Sequence, residues 1–137
     1  MKNFITIHAS NTGAKDNLKL ADLDLQDRQH GFSRVGYHYV IRRDGLIEDG
    51  RQESEASLHD HISTARQSLS ICLVGGAGED GKPFNNFTEV QWIALTQKVW
   101  QLCEDHPEAV IKVVTKSVPQ EFVIGMYTKL LSQGKYN

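Results

Sequence analysis

Cysteine is scarce in this sequence, and Cys72 and Cys103 are the only two in 137 residues. Neither belongs to a pair at the C-x-x-C spacing that zinc sites and redox motifs use. Cys72 lies inside the apolar run of residues 69–74, and Cys103 lies in a helical pattern. Both are predicted to be small buried hydrophobic residues rather than metal ligands, nucleophiles or halves of a disulfide.

Long apolar runs and an excess of one charge are also missing. No stretch approaches the roughly 20 apolar residues that span a bilayer. The apolar start at residues 4–7 ends at His8 and lacks the h-region and cleavage site of a signal peptide. The 15 basic and 17 acidic residues give a formal net charge of −2. The sequence therefore predicts a cytoplasmic protein with no membrane and no nucleic-acid partner.

The remaining composition is that of an ordinary globular protein, with 39% hydrophobic and 23% charged residues. A chain of this length can bury one substantial core but not two, so residues 1–137 are predicted to form a single domain. Strand patterns alternate with helical patterns, the strands at 4–7, 37–42, 46–48, 69–74 and 110–114 and the helices at 18–29, 89–102 and 121–131. This order predicts an α/β (α+β) fold in which helices flank one central mixed β-sheet.

The helix predicted over residues 89–102 has the clearest start signal. Thr88 is a plausible N-cap, and Gln91 stands three residues later, as a capping box requires. Phe87 and Trp92 have the spacing of a hydrophobic staple. Pro107 follows the helix and cannot continue it.

Two residues at strand ends could carry chemistry. His8 ends the first predicted strand, where a sheet presents functional side chains, and a neutral imidazole is a common metal ligand. A lone strand-end histidine is more often a hydrogen-bonded structural residue. Tyr37 opens the second strand, and a phenol beside a metal can polarise a carbonyl. The alternative for Tyr37 is packing in the sheet with a satisfied hydroxyl.

His59 and His61 form a second candidate pair at i, i+2 spacing. If residues 58–62 are extended, both imidazoles lie on one face and could share a metal. The sequence nearby offers no third ligand at a recognisable spacing. A polar loop that lines a groove is therefore the favoured interpretation.

A series of segments appears along the chain in a specific order, namely residues 5–10, 36–41, 43–45, 50–51, 58–59, 70–76 and 86–88, with Gln91. The order of these segments resembles the type-2 N-acetylmuramoyl-L-alanine amidase family, which includes phage lysozymes and is similar to peptidoglycan recognition proteins. The resemblance extends over nearly the whole chain and is specific through Leu102. It implies a central mixed sheet flanked by helices and a groove that binds the muropeptide stem.

The resemblance also implies a chemistry and a set of site residues. Members hydrolyse the amide between the lactyl group of N-acetylmuramic acid and L-alanine, using zinc held by two histidines and a cysteine or acidic residue. His8 matches the first zinc ligand, and Tyr37 matches the tyrosine that assists at the carbonyl. His59 matches the loop histidine at the groove, and Lys116 matches the assisting lysine. Ligand contacts are thus expected from all four residues.

The C-terminal part departs from the family pattern. The stretch that carries the second histidine ligand is missing after residues 109–112, and Val118 stands where the family has its cysteine. Zinc sites need three or four protein ligands, and valine offers no lone pair. The favoured prediction is a phage or prophage protein with a degenerate zinc site and no cofactor. It would bind a muropeptide, another small ligand or a protein partner without catalysis. The alternative is an active amidase in which His59 or His61 replaces a zinc ligand.

Overall fold

A five-stranded mixed sheet forms the centre of the protein. The computed structural model describes residues 2–119 and 121–122. The strands are β1 Phe4–Ala9, β2 Tyr39–Ile41, β3 Ile47–Asp49, β4 Ser68–Leu73 and β5 Val110–Val113, and the helices are α1 Leu20–Gln29 and α2 Glu89–Asp105. The strand order is β3-β2-β4-β1-β5. β1 runs parallel to β4 and β5, and β2 is parallel to β4 but antiparallel to β3. The predicted fold class is confirmed.

The predicted element boundaries shift by a few residues. The second strand is shorter than predicted because Tyr37 and His38 precede β2, and α2 continues to Asp105. Glu121 and Phe122 are helical, while the rest of the helix predicted over 121–131 lies outside the described residues.

The predicted start of α2 is confirmed. The Thr88 hydroxyl accepts from Gln91 N at 3.2 Å, and Thr88 N donates to the Gln91 side-chain oxygen at 3.0 Å. The Phe87 and Trp92 rings meet edge to face, with centroids 5.4 Å apart. These local contacts fix where the helix begins, because they satisfy two backbone N–H groups that an isolated helix leaves unpaired.

The two faces of the sheet differ in polarity. One face packs on α2 and is apolar, with Ile5 and Ile7 of β1 and Ile71 of β4 in the same core cluster as Leu95 of α2. The other face carries buried polar side chains, namely Thr6, His8, His38, Ser68 and Ser70. Strands buried in parallel sheets are usually apolar on both faces, so each of these polar groups needs a partner. Within residues 2–119 and 121–122, neither helix has the length and apolar character needed to cross a membrane.

Candidate functional site

Three of the four predicted site residues lie together on the polar face. The Tyr37 and His59 rings are stacked, with centroids 4.0 Å apart and planes at 11°. The His8 ring stands edge-on to both, 5.4 Å from Tyr37 and 6.4 Å from His59. Two carboxylates, Asp27 and Asp60, complete this group, which we call the His8 cluster.

The Asp60 carboxylate is the common hydrogen-bond acceptor beside His8. The Asp60 carboxylate accepts from His8 Nε2 at 3.1 Å, from Thr6 Oγ1 at 2.9 Å and from Ser57 Oγ at 2.6 Å. Burial alone would raise the pKa of Asp60, but the hydrogen bonds from His8, Ser57 and Thr6 outweigh it and hold the pKa below its usual value. Asp60 is therefore an ionised acceptor, and the His8 nitrogen that faces it must carry a proton.

Asp27 orients the second imidazole. His59 Nε2 lies 3.0 and 2.9 Å from the two Asp27 oxygens, and Gly36 N donates to Asp27 Oδ2 at 2.7 Å. Asp27 projects from α1, where it and Leu23 are the two buried residues. The His59 ring also meets Phe32 edge to face at 5.8 Å, and the side chain stays 25% exposed. The His59 ring is thus contacted by Asp27, Tyr37 and Phe32, and part of its surface stays exposed to solvent.

Tyr37 packs against buried residues on the side away from His59. Its ring lies in a cluster with Leu23, Val40 and Cys72, and the Cys72 thiol donates to Leu73 O at 3.8 Å. Burial raises the pKa of Tyr37 well above its usual value and raises the pKa of Cys72 to about 12. Both groups therefore stay protonated at neutral pH. Cys72 and Cys103 are buried, as the sequence predicts, and they do not form a disulfide with each other.

The other predicted residues make no hydrogen bond, ion pair or ring contact with the cluster within the part of the chain that the structure describes. Residues 58–60 form a turn and a bend rather than an extended segment, so the shared face proposed for His59 and His61 does not form. His61 is exposed, and its Nδ1 accepts from Ser63 N at 3.1 Å. Lys116 is exposed and makes no hydrogen bond or ion pair with the part of the chain that the structure describes. Val118 is buried in the core on the α2 side of the sheet.

The donor set for a metal is small. Residues 2–119 and 121–122 contain no group of three or more His, Cys, Asp or Glu side chains placed to hold a metal ion. The remaining positions, namely Met1, Gln120 and residues 123–137, include none of these residue types. Each imidazole of the His8 cluster instead faces a carboxylate through its Nε2 atom.

Sequence reasoning missed Asp27 and Asp60 as site residues, although the position of each in the chain gives a weak indication of its role. Asp27 stands four residues after Leu23, so both point to the same side of α1 and toward the sheet. An acidic residue at an inward position needs a buried partner. Asp60 lies between two histidines in the chain, but its actual partners on β1 are more than 50 residues away.

A separate open cleft of about 740 Å³ lies between the loops that follow β1 and β4, outside the His8 cluster. It is lined by residues 13–16 and 77–80, with Phe84 and Asn86. Its aspartates are used in turns, since Gly13 N donates to Asp16 and Lys82 N donates to Asp80. The imidazole and carboxylate groups that could do chemistry meet in the His8 cluster and not in this cleft.

His38 supports the segment that carries His59 and Asp60. It is completely buried, its Nε2–H donates to Glu55 O at 2.8 Å, and its Nδ1 accepts from Ser70 N at 3.0 Å. Burial lowers the pKa of His38, although the bond to Glu55 opposes the shift. A second proton on the ring would remove the acceptor for Ser70 N.

This arrangement predicts a pH-dependent stability. Because the folded state binds fewer protons at His38 than the unfolded state, the contribution is complete above about pH 6.5 and is lost as the pH falls through the lowered pKa. Urea unfolding at a series of pH values should show the decline in the native protein and a flatter profile in His38→Gln. The exposed His61→Gln variant should keep the native profile. An equal decline in all three proteins would contradict the assignment to His38.

Comparison with known proteins gives sequence relatives over most of the chain. The family model described as N-acetylmuramoyl-L-alanine amidase matches residues 2–122. The endolysin of Enterobacteria phage K11 is 36% identical over 107 residues, which cover 77% of this chain and 69% of the endolysin. The endolysin of Escherichia phage T7 is 31% identical over 116 residues, covering 85% and 76% respectively.

Solved structures agree with the fold. The amidase LysC from Clostridium intestinale superposes with a TM-score of 0.76 at 24% identity, covering 95% of this chain and 85% of LysC. The recognition protein PGRP-Hd from Alvinella pompejana superposes with a TM-score of 0.63 at 16% identity, covering 94% and 82%. On the strength of the family model and the phage relatives, the chain belongs to the N-acetylmuramoyl-L-alanine amidase family.

Proposed function

We propose that this protein binds the muropeptide stem of peptidoglycan in the groove around His8, Tyr37 and His59, and that it does not hydrolyse the stem through zinc. The observation that carries the proposal is the donor set of the His8 cluster. A catalytic zinc needs three protein ligands and an open position. Two imidazoles and two carboxylates meet in the cluster, but each carboxylate is hydrogen-bonded to an imidazole Nε2. Residues 2–119 and 121–122 contain no group of three or more His, Cys, Asp or Glu side chains placed to hold a metal ion, and position 118 is a valine.

The binding half of the proposal is supported by the family and by the side chains that meet in the His8 cluster. Membership in an amidase family and similarity to phage endolysins point to peptidoglycan as the ligand. At the His8 cluster the aromatic rings of Tyr37, His59 and Phe32 meet the polar ring of His8. Apolar surfaces with a few fixed polar groups are what small-ligand sites use for affinity and orientation.

A direct test measures metal and binding on the same preparation. Protein purified without chelator and incubated with zinc should contain well below one zinc per chain. The same protein should sediment with purified peptidoglycan and release no stem peptides from it. His59→Ala should weaken the sedimentation, because it removes the ring that stacks on Tyr37.

The matched control is His61→Ala, which changes the same residue type two positions along the chain. His61 is exposed and lies outside the cluster, so this variant should bind like the native protein. A full equivalent of zinc that disappears in His8→Ala would refute the zinc-free proposal. Failure to sediment with peptidoglycan would refute the binding proposal.

One observation favours the alternative, an active amidase with a rearranged metal site. A histidine that ligates a metal commonly donates its other ring N–H to a carboxylate, and both His8 and His59 do so through Nε2. Two imidazoles alone still leave a zinc ion one protein ligand short. The metal measurement above separates the two functions.

A further inference from the structure

The two carboxylates of the His8 cluster fix which ring nitrogen of each histidine carries the proton. A carboxylate only accepts hydrogen bonds, so the neutral His59 ring that meets both Asp27 oxygens at 2.9 and 3.0 Å has its proton on Nε2. His8 Nε2 likewise faces Asp60 Oδ1 at 3.1 Å. In each neutral ring Nδ1 then carries no proton, and its lone pair can accept a hydrogen bond. Neither Nδ1 makes a hydrogen bond within residues 2–119 and 121–122.

The rings are also fixed in orientation. Tyr37 covers one face of His59, and Phe32 meets the ring at a steep angle of 81°. A Cβ on Gly36 would lie 2.7 Å from His59 Cδ2, so the backbone of Gly36 closes a further side. An acceptor held this rigidly needs little ordering when a ligand binds.

We propose that Asp27 and Asp60 are positioning residues that hold His59 and His8 as hydrogen-bond acceptors, so that the groove selects ligands bearing N–H or O–H donors. The choice of a muropeptide as ligand rests on the proposed function, whereas the proton positions do not. The amide N–H groups of a peptide stem are donors of this kind. A ligand that offered only acceptors would leave the imidazole lone pairs unpaired or repelled.

Asparagine at position 27 would exchange the donor and acceptor roles of the two ring nitrogens of His59. Gly36 N is buried and donates to Asp27 Oδ2 at 2.7 Å, so its acceptor must be kept. The asparagine oxygen would therefore stay on Gly36 N, and the amide NH₂ would take the Oδ1 position, 3.0 Å from His59 Nε2. An Nε2–H would then meet an amide N–H at hydrogen-bond distance, which is repulsive. We expect Nε2 to become the acceptor and the proton to move to Nδ1, which changes from acceptor to donor.

The proton positions can be read directly by nitrogen-15 NMR of the histidine side chains at mildly alkaline pH. We expect His59 and His8 to show the Nε2–H form in the native protein, and His59 to show the Nδ1–H form in Asp27→Asn. A purely structural Asp27 would leave the tautomer unchanged. Native His59 in the Nδ1–H form, or an unchanged tautomer in the variant, would overturn the proposal.

The selection of donors can be measured with N-acetylmuramoyl-L-alanyl-D-isoglutamine and two analogues, each with an ester in place of one of its amides. Each analogue keeps the shape of the ligand and loses one N–H. We expect the native protein to bind at least one analogue roughly tenfold more weakly than the parent compound. Asp27→Asn should lose or reverse that preference.

Asp24→Asn is the matched control. Asp24 lies one turn earlier on α1 and accepts from Val35 N at 2.7 Å, much as Asp27 accepts from Gly36 N, but it does not touch a histidine. This variant should keep both the native tautomer and the native preference. Equal binding of all three compounds by the native protein would overturn donor selection. If none of them binds, the proposed muropeptide function fails and donor selection with it, and the NMR result still decides the proton positions.

Discussion

Asp60→Ala is expected to lower the free energy of unfolding by about 3 kcal/mol. The carboxylate is only 5% exposed and accepts from three donors, Thr6 Oγ1, Ser57 Oγ and His8 Nε2. Alanine leaves all three without their acceptor in a buried setting, where an unpaired polar group costs roughly 1–3 kcal/mol. Part of this cost is offset because Thr6 Oγ1 can turn toward Leu69 O, which lies 3.5 Å away.

Urea unfolding at neutral pH measures the effect. Asp105→Ala, at the exposed end of α2, is the control and should change stability by less than about 0.5 kcal/mol. Asp60→Asn should fall between the two, because an amide oxygen still accepts from Ser57 or Thr6. A loss in Asp60→Ala no larger than in the control would mean that the polar face does not depend on this residue.

Gly36→Ala is expected to disrupt the groove and to weaken peptidoglycan binding more than tenfold. The added Cβ would lie 2.7 Å from His59 Cδ2 and 2.8 Å from Leu58 Cβ. The backbone cannot yield easily, because Gly36 N donates to Asp27 and Leu58 N donates to Gly36 O at 3.1 Å. The His59 ring must therefore leave its place on Tyr37. Overpacking of this kind also costs roughly 1–3 kcal/mol of stability.

Sedimentation with peptidoglycan and urea unfolding should be measured on the same sample, so that loss of the groove is separated from loss of the fold. Gly78→Ala is a suitable control, since its Cβ would come no closer than 3.2 Å to side-chain atoms of Asp80. Native binding and native stability in Gly36→Ala would show that His59 does not need its observed position.

Elements with local signals are predictable from this sequence. The start of α2 follows from Thr88, Gln91 and the Phe87–Trp92 pair, all of which lie within six residues. The burial of Cys72 follows from its apolar neighbours in β4. In each case the interactions that decide the structure lie within the segment that carries the pattern.

The site is predictable only in part because its contacts are between distant segments. The resemblance identifies His8, Tyr37 and His59, but nothing in the spacing of residues 37 and 59 predicts that their rings stack. The pairing of Asp27 with His59 joins a helix to a turn 32 residues away. The expectation of a shared face for His59 and His61 fails because residues 58–60 form a turn and a bend, for which alternation of side chains does not hold.

The position of β1 in the sheet has a consequence for synthesis. β1 lies between β4 and β5, so the strand that leaves the ribosome first pairs with residues 68–73 and 110–113, which are made much later. Until then the backbone groups of β1 have no native strand partners, and the contacts of Thr6 and His8 with Asp60 cannot form before that residue is made. Folding therefore depends on contacts of large sequence separation, which slows it and leaves a nascent chain open to aggregation or to chaperones. The sheet cannot close around β1 before residues 110–113 have been translated.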